Sequence, residues 1–299
     1  MICILSVLTA LALLLFADSL MITSRIRHVA VRFPPAKEGT TWLIVGSDSR
    51  ASLPSGEGGT FGTPGEVPGQ RSDVVLVIHV YNSRVSALSI PRDLLVQTGP
   101  GSYERLTFTF TNGPQGLVNA LCDSLGIPVN RLIVVNFSGF ARIVNDVGGV
   151  TVNLPYPVRD PMASLDIGRS GAVHLSGTEA LGLVRSRTPE WRENGHWVAV
   201  PSGSVQRTMW AGRILAAITS AARGLEADPL RLQELAWDAS GDLEVSSNVG
   251  PLDLAALARQ HFVPVPVPAK PLPSSLALGI TPATRGAVAA AGYGTRCAA

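Results

Sequence analysis

Short apolar runs, each closed by a polar word built from arginine and aspartate, set the terms on which this chain can fold. The words are Gly46-Ser47-Asp48-Ser49-Arg50, Arg71-Ser72-Asp73, Arg92-Asp93 (after Ser89-Ile90-Pro91), Arg185-Ser186-Arg187 and Gln206-Arg207. An apolar run of four to eight residues has the length of a buried strand. A charged word at its end puts charge where strand meets loop, which is where ligand sites are built. Only 15% of the 299 residues are charged, so the recurrence of arginine beside aspartate is not solubilising decoration.

The remaining pattern alternates strands with helices. Trp42–Val45, Val74–Val80, Arg84–Ile90, Leu132–Val135 and Val150–Leu154 read as strands, with Tyr81-Asn82-Ser83 as a hairpin turn. A helix opens at Gly113-Pro114, buries Leu117, Val118, Leu121 and Leu125, and ends at Gly126. Further helices are expected over Phe137–Val147, from a capping box at Ser176-Gly-Thr-Glu179, and over Gln206–Arg223, Pro229–Trp237, Pro251–Gln260 and Thr281–Ala291. The prolines at 264, 266 and 268 make Phe262–Val267 an edge strand or extended segment. Residues 51–70, rich in Gly, Pro and Ser, read as a mobile loop. Hairpins mixed with strand–helix alternation give an α/β fold with a mixed sheet.

Residues 1–22 carry an apolar stretch near the lower limit for a membrane helix and are read as a membrane anchor. A signal peptide would need a positive start and a small-residue cleavage site, and neither is present. Residues 23–40 then form a juxtamembrane linker and 41–299 the functional domain. Arg25, Arg27 and His28 follow the apolar stretch, and no basic residue precedes it. By charge alone the bulk of the chain would lie in the cytoplasm. The three cysteines, Cys3, Cys122 and Cys297, form no metal-ligand spacing. Idle thiols are favoured over a Cys122–Cys297 disulfide.

Asp48 ends one strand and Asp73 begins another. If those strands are antiparallel neighbours, the two carboxylates meet at one edge and can share Mg2+ or Mn2+ with phosphate oxygens. A lone Gly-Ser-Asp is more often a turn that caps backbone amides; the matching arginine words argue against that here. Arg50, Arg71, Arg92, Arg185, Arg187 and Arg207 keep their charge, and each guanidinium fork fits phosphate. Two such cations repel by about 4 kcal/mol at ~4 Å in an effective dielectric of ~20. A convergent set needs anions: Asp48, Asp73, Asp93 and a bound diphosphate. Singly, each arginine would be a surface ion pair of little consequence.

Several chemistries are excluded or disfavoured. There is no Gly-x-x-x-x-Gly-Lys loop and no Gly-x-Ser-x-Gly elbow. His28, His79, His174, His196 and His261 have no ligand spacing, and His79 reads as a core histidine. With a net charge of +2 and only two lysines, Lys37 and Lys270, no nucleic-acid partner is indicated. Trp191, Trp197 and Trp210 read equally as sugar-stacking or core aromatics.

Taken in order, the words resemble the LytR-CpsA-Psr family of bacterial envelope proteins. To them are added Leu88-Ser-Ile-Pro-Arg-Asp93, Arg105-Leu-Thr107, Ile127-Pro128, Val134-Val-Asn-Phe137, Val147-Gly-Gly-Val150, Leu175-Ser-Gly177 and Ala180-Leu-Gly-Leu-Val-Arg-Ser-Arg187. The likeness covers roughly residues 41–225 and is specific only as a set. It implies a three-layer α/β/α-type domain held outside a cell membrane by a single N-terminal helix, against the charge flanking, and the family's placement is adopted. It implies a Mg2+-dependent transferase that moves a glycopolymer from a polyprenyl-diphosphate carrier onto a peptidoglycan hydroxyl, with membrane lipid as a partner. Polyprenyl phosphate leaves, and a long apolar tunnel takes the lipid. By position, Asp48 and Asp73 hold the metal. Arg50, Arg71, Arg92, Arg185, Arg187 and Arg207 hold the diphosphate. Arg92 and Asp93 are catalytic, Asp93 as a base or as the orienter of Arg92.

Three departures stand out. Ser204 replaces an arginine of the family's usual word, Thr208 a glutamine, and Thr107 an asparagine; Arg192 or Arg213 is a possible stand-in for the missing arginine. The stretch Thr188–Val200 is also unusual for the family. These changes leave two rival readings: a noncatalytic lipid-glycan binder or envelope scaffold, and a diphosphatase that uses water as acceptor.

Overall fold

The computed structural model describes residues 18–35, 38–48, 70–200, 204–273, 275–294 and 297. Arg50, residues 1–17 of the anchor expected over 1–22 and most of the loop expected over 51–70 lie outside them; residues 18–22 of that anchor are instead part of the domain, with Ile22 buried in its core. Among the described residues, no helix is long and apolar enough to cross a membrane.

In chain order the elements begin with helix α1 over residues 18–25 and strands β1 (Arg27–Val29), β2 (Thr40–Ser47), β3 (Ser72–Tyr81), β4 (Arg84–Ile90), β5 (Leu95–Gly99) and β6 (Ser102–Arg105). Helix α2 (Pro114–Leu125), β7 (Arg131–Asn136), α3 (Phe137–Asp146), β8 (Val150–Leu154), β9 (Val158–Asp160), β10 (Leu165–Ile167), β11 (Gly171–Leu175) and α4 (Gly177–Arg185) follow. After them come β12 (Glu190–Glu193), β13 (His196–Ala199), α5 (Ser204–Gly224), α6 (Pro229–Ser240), β14 (Leu243–Ser246), α7 (Pro251–Ala258), β15 (Val265–Pro266) and, near the end, α8 (Pro282–Ala290).

The central sheet runs β1-β14-β7-β2-β3-β4-β15. It is mixed: β7 lies parallel to β2, while β3 is antiparallel to both β2 and β4. Its central strands are apolar nearly throughout because both faces are covered. Period-two alternation divides the load. Leu43, Val45, Val75 and Val77 pack with Leu117, Leu121 and Leu125 of α2 and with Val288 of α8. On the opposite face, Trp42 and Ile78 pack with Ile133, Leu257 and Phe262. Helices α3, α4, α5, α6 and α7 build that second layer. A smaller β10-β9-β12-β13 sheet and the antiparallel β11-β8 pair sit beside α4 and α5.

Local chemistry explains the element ends. Pro114 occupies the first turn of α2, and Gly126 closes it in the left-handed region at φ 68°. Asn136 caps α3 by accepting a hydrogen bond from the Gly139 amide at 2.8 Å. Ser176 and Glu179 form the expected capping box of α4. The 23–40 linker expectation needs correction. Residues 27–29 pair in parallel with β14 as an edge strand, and Ile22 and Ile26 are buried in the core. The cysteine expectation also fails: Cys122 and Cys297 form a disulfide that ties the C-terminal segment to α2.

Candidate active site

The site starts from an irregularity in the β2–β3 ladder. Gly46 pairs with Val74 and Ser47 with Ser72, so Asp73 is the extra residue of a β-bulge. A bulge re-aims its side chain away from the regular pleat. Just past the end of β2, the Asp48 amide donates to the Arg71 carbonyl at 3.1 Å. The Asp48 carboxylate accepts from the Arg71 amide at 2.6 Å. Asp48 therefore pins Arg71, whose guanidinium lies 5.4 Å from the Phe108 ring centre.

Pro91 ends β4 beside β3, and Arg92 then pairs with Asp73. Asp93 is buried among three guanidinium groups. Its Oδ1 lies 3.4 Å from Arg105, and its Oδ2 lies 3.3 Å from Arg207 and 3.7 Å from Nε of Arg92. Arg207 arrives from the first turn of α5. That turn is fastened to β4 by Ser89, whose Oγ donates to the Thr208 carbonyl at 2.9 Å. Burial disfavours the Arg207 cation, and Arg92 and then Arg187 repel it. Asp93 and Asp73 offset only part of this, and its pKa falls to about 10. Arg207 stays protonated at neutral pH, at a cost of about 3 kcal/mol, and an additional anion would relieve it.

The Arg185-Ser186-Arg187 word is held by a residue the sequence did not single out. Asp160, fully buried, accepts from the Ser186 hydroxyl at 2.8 Å and from the Arg187 and Thr188 amides at 2.9 Å each. Burial pushes its carboxyl up, but the hydrogen bonds from Thr188, Ser186, Arg187 and Met162 outweigh that, and the net shift is downward. Arg185 lies with its guanidinium 4.9 Å from the Phe137 ring centre.

Behind this charged mouth is a cavity of about 260 Å³ between the sheet and α3–α7. Its lining includes Gly46, Val74, Phe137 and Val184 at the mouth. Each is one or two residues from a charged member of the site or stacked against one. Farther in, the wall is Ile133, Leu215, Ile218, Leu235 and Phe262. An apolar cavity thus lies next to the arginine cluster.

Of the residues expected to converge, Asp73, Arg92, Asp93, Arg187 and Arg207 share one electrostatic cluster. Asp48 and Arg71 border it, and Arg185 sits at the cavity mouth. Arg105 and Phe108 were missed as site residues. Arg105 is one of the three partners of Asp93 and stacks 4.6 Å over Phe108, which it shares with Arg71. The signal was the Arg105-Leu-Thr107 word. Neither stand-in for the lost arginine joins the cluster by a contact seen here: Arg213 is exposed and stacks on Trp210, and Arg192 is exposed on β12.

The two carboxylates expected to hold a cation already have partners: Asp48 caps the Arg71 amide and Asp73 pairs with Arg92. Asp48 and Asp73 come from adjoining strand ends, and Asp73 is partly open to solvent. Among the described residues there is no group of three or more acidic, His or Cys side chains able to cage a metal. Mg2+ commonly takes one or two carboxylates and completes its shell with water and phosphate oxygens.

Comparison with known proteins agrees with this geometry. Residues 20–197 match the LytR_cpsA_psr family. The probable cell wall biosynthesis protein LcpB of Corynebacterium glutamicum is 31% identical over 74% of this chain and 51% of its own length. The polyisoprenyl-teichoic acid–peptidoglycan teichoic acid transferase TagV of Bacillus subtilis is 30% identical over 44% of this chain and 36% of its own. The chain thus spans about half or less of these relatives. Among solved structures, a LytR-Csp2A-Psr enzyme from Actinomyces oris superposes with a TM-score of 0.77 at 31% identity, covering 92% of this chain and 99% of that one. A cluster of arginines and aspartates at the end of a mixed sheet, opening on an apolar cavity, is what these words build, and the chain belongs to the LytR_cpsA_psr family.

Proposed function

We propose that this chain transfers a glycopolymer from a polyprenyl-diphosphate carrier to a hydroxyl of peptidoglycan, on the outer face of a cell membrane. The observation that carries the reading is the continuity of the charged mouth with the apolar cavity. A polyanionic head and a hydrocarbon tail on one molecule match those two environments. The relatives' names, a cell wall biosynthesis protein and a teichoic acid–peptidoglycan transferase, support the substrate class. The Cys122–Cys297 disulfide supports an oxidising, extracytoplasmic compartment.

In this reading the acceptor hydroxyl attacks the phosphorus joined to the sugar. A new phosphodiester bond forms, the bond to the bridging oxygen breaks, and polyprenyl phosphate leaves with the hydroxyl proton on one of its oxygens. The chain's part is positioning and charge neutralisation, which dominate phosphoryl transfer. Arg92, Arg187 and Arg207 meet the diphosphate, and Arg71 and Arg185 flank it. Asp93, with both oxygens turned to guanidinium groups, orients Arg92, Arg105 and Arg207 rather than taking a proton. Asp48 and Asp73 would hold Mg2+ or Mn2+, which when bound adds positive charge at the diphosphate.

The scaffold and diphosphatase readings draw on Ser204 and Thr208. Thr208 is buried and offers α5's carbonyl to Ser89, a role that does not need the family's glutamine. The full chain in detergent, given a prenyl-diphosphate sugar, peptidoglycan and Mg2+, separates the three. Sugar transfer to peptidoglycan is expected, and Asp73→Ala should slow it about 100-fold or more. Binding without turnover would make the protein a scaffold, and turnover without acceptor would make it a phosphatase. Full activity in Asp73→Ala would overturn the site assignment.

A further inference from the structure

Helix α5 serves as a ruler for the cavity. Arg207 at its start belongs to the charged cluster. Ala211, Leu215, Ile218 and Ala222 then line the cavity, and these eleven residues of rise span about 16 Å. Arg223, the next residue, donates from its guanidinium to the Gln260 carbonyl at 3.0 Å. The cavity therefore runs away from the charged mouth toward the C-terminal end of α5. There it meets Ala258 of α7 and Phe262.

Three further elements end at the same place. Arg259, at the C-terminus of α7, reaches Glu226, just before α6, at 3.2 Å. Asp18, at the start of α1, bonds to Gln233 in α6. The far end of α1 stays in step: Arg25 reaches Ser240 at 3.3 Å and stacks over Trp237. Helices α1 and α6 thus lie side by side in the same direction, and the apolar sequence preceding Asp18 joins the domain beside the start of α6. The inner side of α1 is core, Ile22 sharing a cluster with Leu257 and Phe262.

The outer side of this end is apolar and exposed: Leu20 and Met21 on α1, Leu230 on α6 at 83% exposure, and Val263 next to Phe262. Its arginines are not a free basic patch. Arg259 is paired with Glu226, and Arg231 lies 3.9 Å from Asp228. Contact here is driven by hydrocarbon rather than by anionic headgroups. A cavity of about 260 Å³ is smaller than the ~300–1,000 Å³ of pockets that take drug-sized ligands. A polyprenyl chain held there must leave it, and at the end opposite the charged mouth the lining residue Phe262 is followed directly by the exposed Val263.

We infer that the end formed by the C-termini of α5 and α7 and the N-termini of α1 and α6 rests on the lipid bilayer, so that the carrier's tail passes between membrane and cavity without crossing water. The occupant is the membrane surface itself; the passage of the tail rests on the transferase reading, but the contact does not.

The test places a photoreactive benzoylphenylalanine singly at Leu230, Val263 or Tyr103 of the full chain in phosphatidylcholine vesicles, with no donor present. Tyr103, as exposed as Val263 but on the β5–β6 hairpin against the α2 face, is the control for chance proximity. Phospholipid adducts by mass spectrometry are expected at 230 and 263 and not at 103. No adduct at 230 and 263, or equal yield at all three, overturns the inference. A second measurement uses Leu230→Asp combined with Val263→Asp. Turnover of a long-chain donor embedded in vesicles should fall about tenfold, the factor that corresponds to burying one such side chain. Turnover of a short-chain, water-soluble donor should be unchanged. Equal loss on both donors, or loss on neither, also overturns it. Absence of all turnover in the unmodified chain would count against the transferase reading alone, because the adducts are measured without it.

Discussion

The two faces of the central sheet are made of the same strands and put to opposite uses. Toward α2, the residues Leu43, Val45, Val75 and Val77 meet Leu117, Leu121 and Phe110 in a filled core. Toward α5 and α7, Ile44, Val74 and Ile133 face a cavity. Close packing adds dispersion contacts that an open space forfeits. The α2 face therefore carries stability, and the cavity face gives some up. Side-chain volume on the facing helices makes the difference. Helix α2 presents Leu117, Val118, Leu121 and Leu125, whereas α5 intersperses Leu215 and Ile218 with the smaller Ala211, Thr219 and Ala222.

The largest effect should come from emptying the filled face. Leu121 is fully buried, and Leu121→Ala should cost about 2–5 kcal/mol, read as a shift in the denaturation midpoint. Transfer per folded molecule should change little. A cost below about 1 kcal/mol would mean that this face, too, is loosely packed. The disulfide belongs to the same face. Cys122→Ser with Cys297→Ser should lower stability by about 2–4 kcal/mol and release the C-terminal segment to proteolysis, again with the charged cluster intact.

Much of this division was legible in advance. The strands β2, β3, β4, β7 and β8 and the helices from α2 to α8 follow from apolar periodicity, prolines and caps. The convergence of Asp73, Arg92, Asp93, Arg187 and Arg207 followed from the polar words and the family likeness. What escaped had weak local signals. Strand β1 is three residues long and is stabilised by pairing with β14, more than 200 residues away. The disulfide joins positions 175 apart, and no spacing rule connects them. The small sheet is a partial exception. Asn194-Gly195, both at positive φ, turns the β12–β13 hairpin, a recognised turn pair inside a stretch that otherwise looked irregular. Asp160 was invisible because its value lies in the Ser186, Arg187 and Thr188 groups it gathers, not in any neighbour along the chain.

Asp160 offers a smaller test, on the cavity side. Asp160→Asn keeps the shape but removes charge-assisted acceptance from three amides and two hydroxyls, costing about 1–3 kcal/mol. Its folded pKa lies below the unfolded value. Its contribution should thus be fully present above the unfolded carboxyl pKa of ~4 and fade as pH falls through the folded value. The variant's stability deficit should accordingly shrink in acid. A deficit of constant size down to strongly acid pH would assign the loss to packing. Because Asp160 fixes Arg187, donor affinity should fall along with stability.

The smallest expected change in stability is also the one that opposes the two faces most directly. Ala222 lines the cavity near its far end, away from every charged member of the site. Ala222→Leu adds apolar volume where the packed face already has it. If the cavity is functional space, filling it should raise stability by about 0.5–2 kcal/mol while weakening the long-chain donor. A short-chain prenyl diphosphate, whose tail stops before residue 222, should be used at the original rate. On the α2 face the same enlargement has no space to enter and should destabilise by about 1–3 kcal/mol. Thermal denaturation together with donor-length kinetics reads both signs. Should Ala222→Leu destabilise as an overpacked core does, and leave long and short donors equal, the cavity would be ordinary core that happens to be loose.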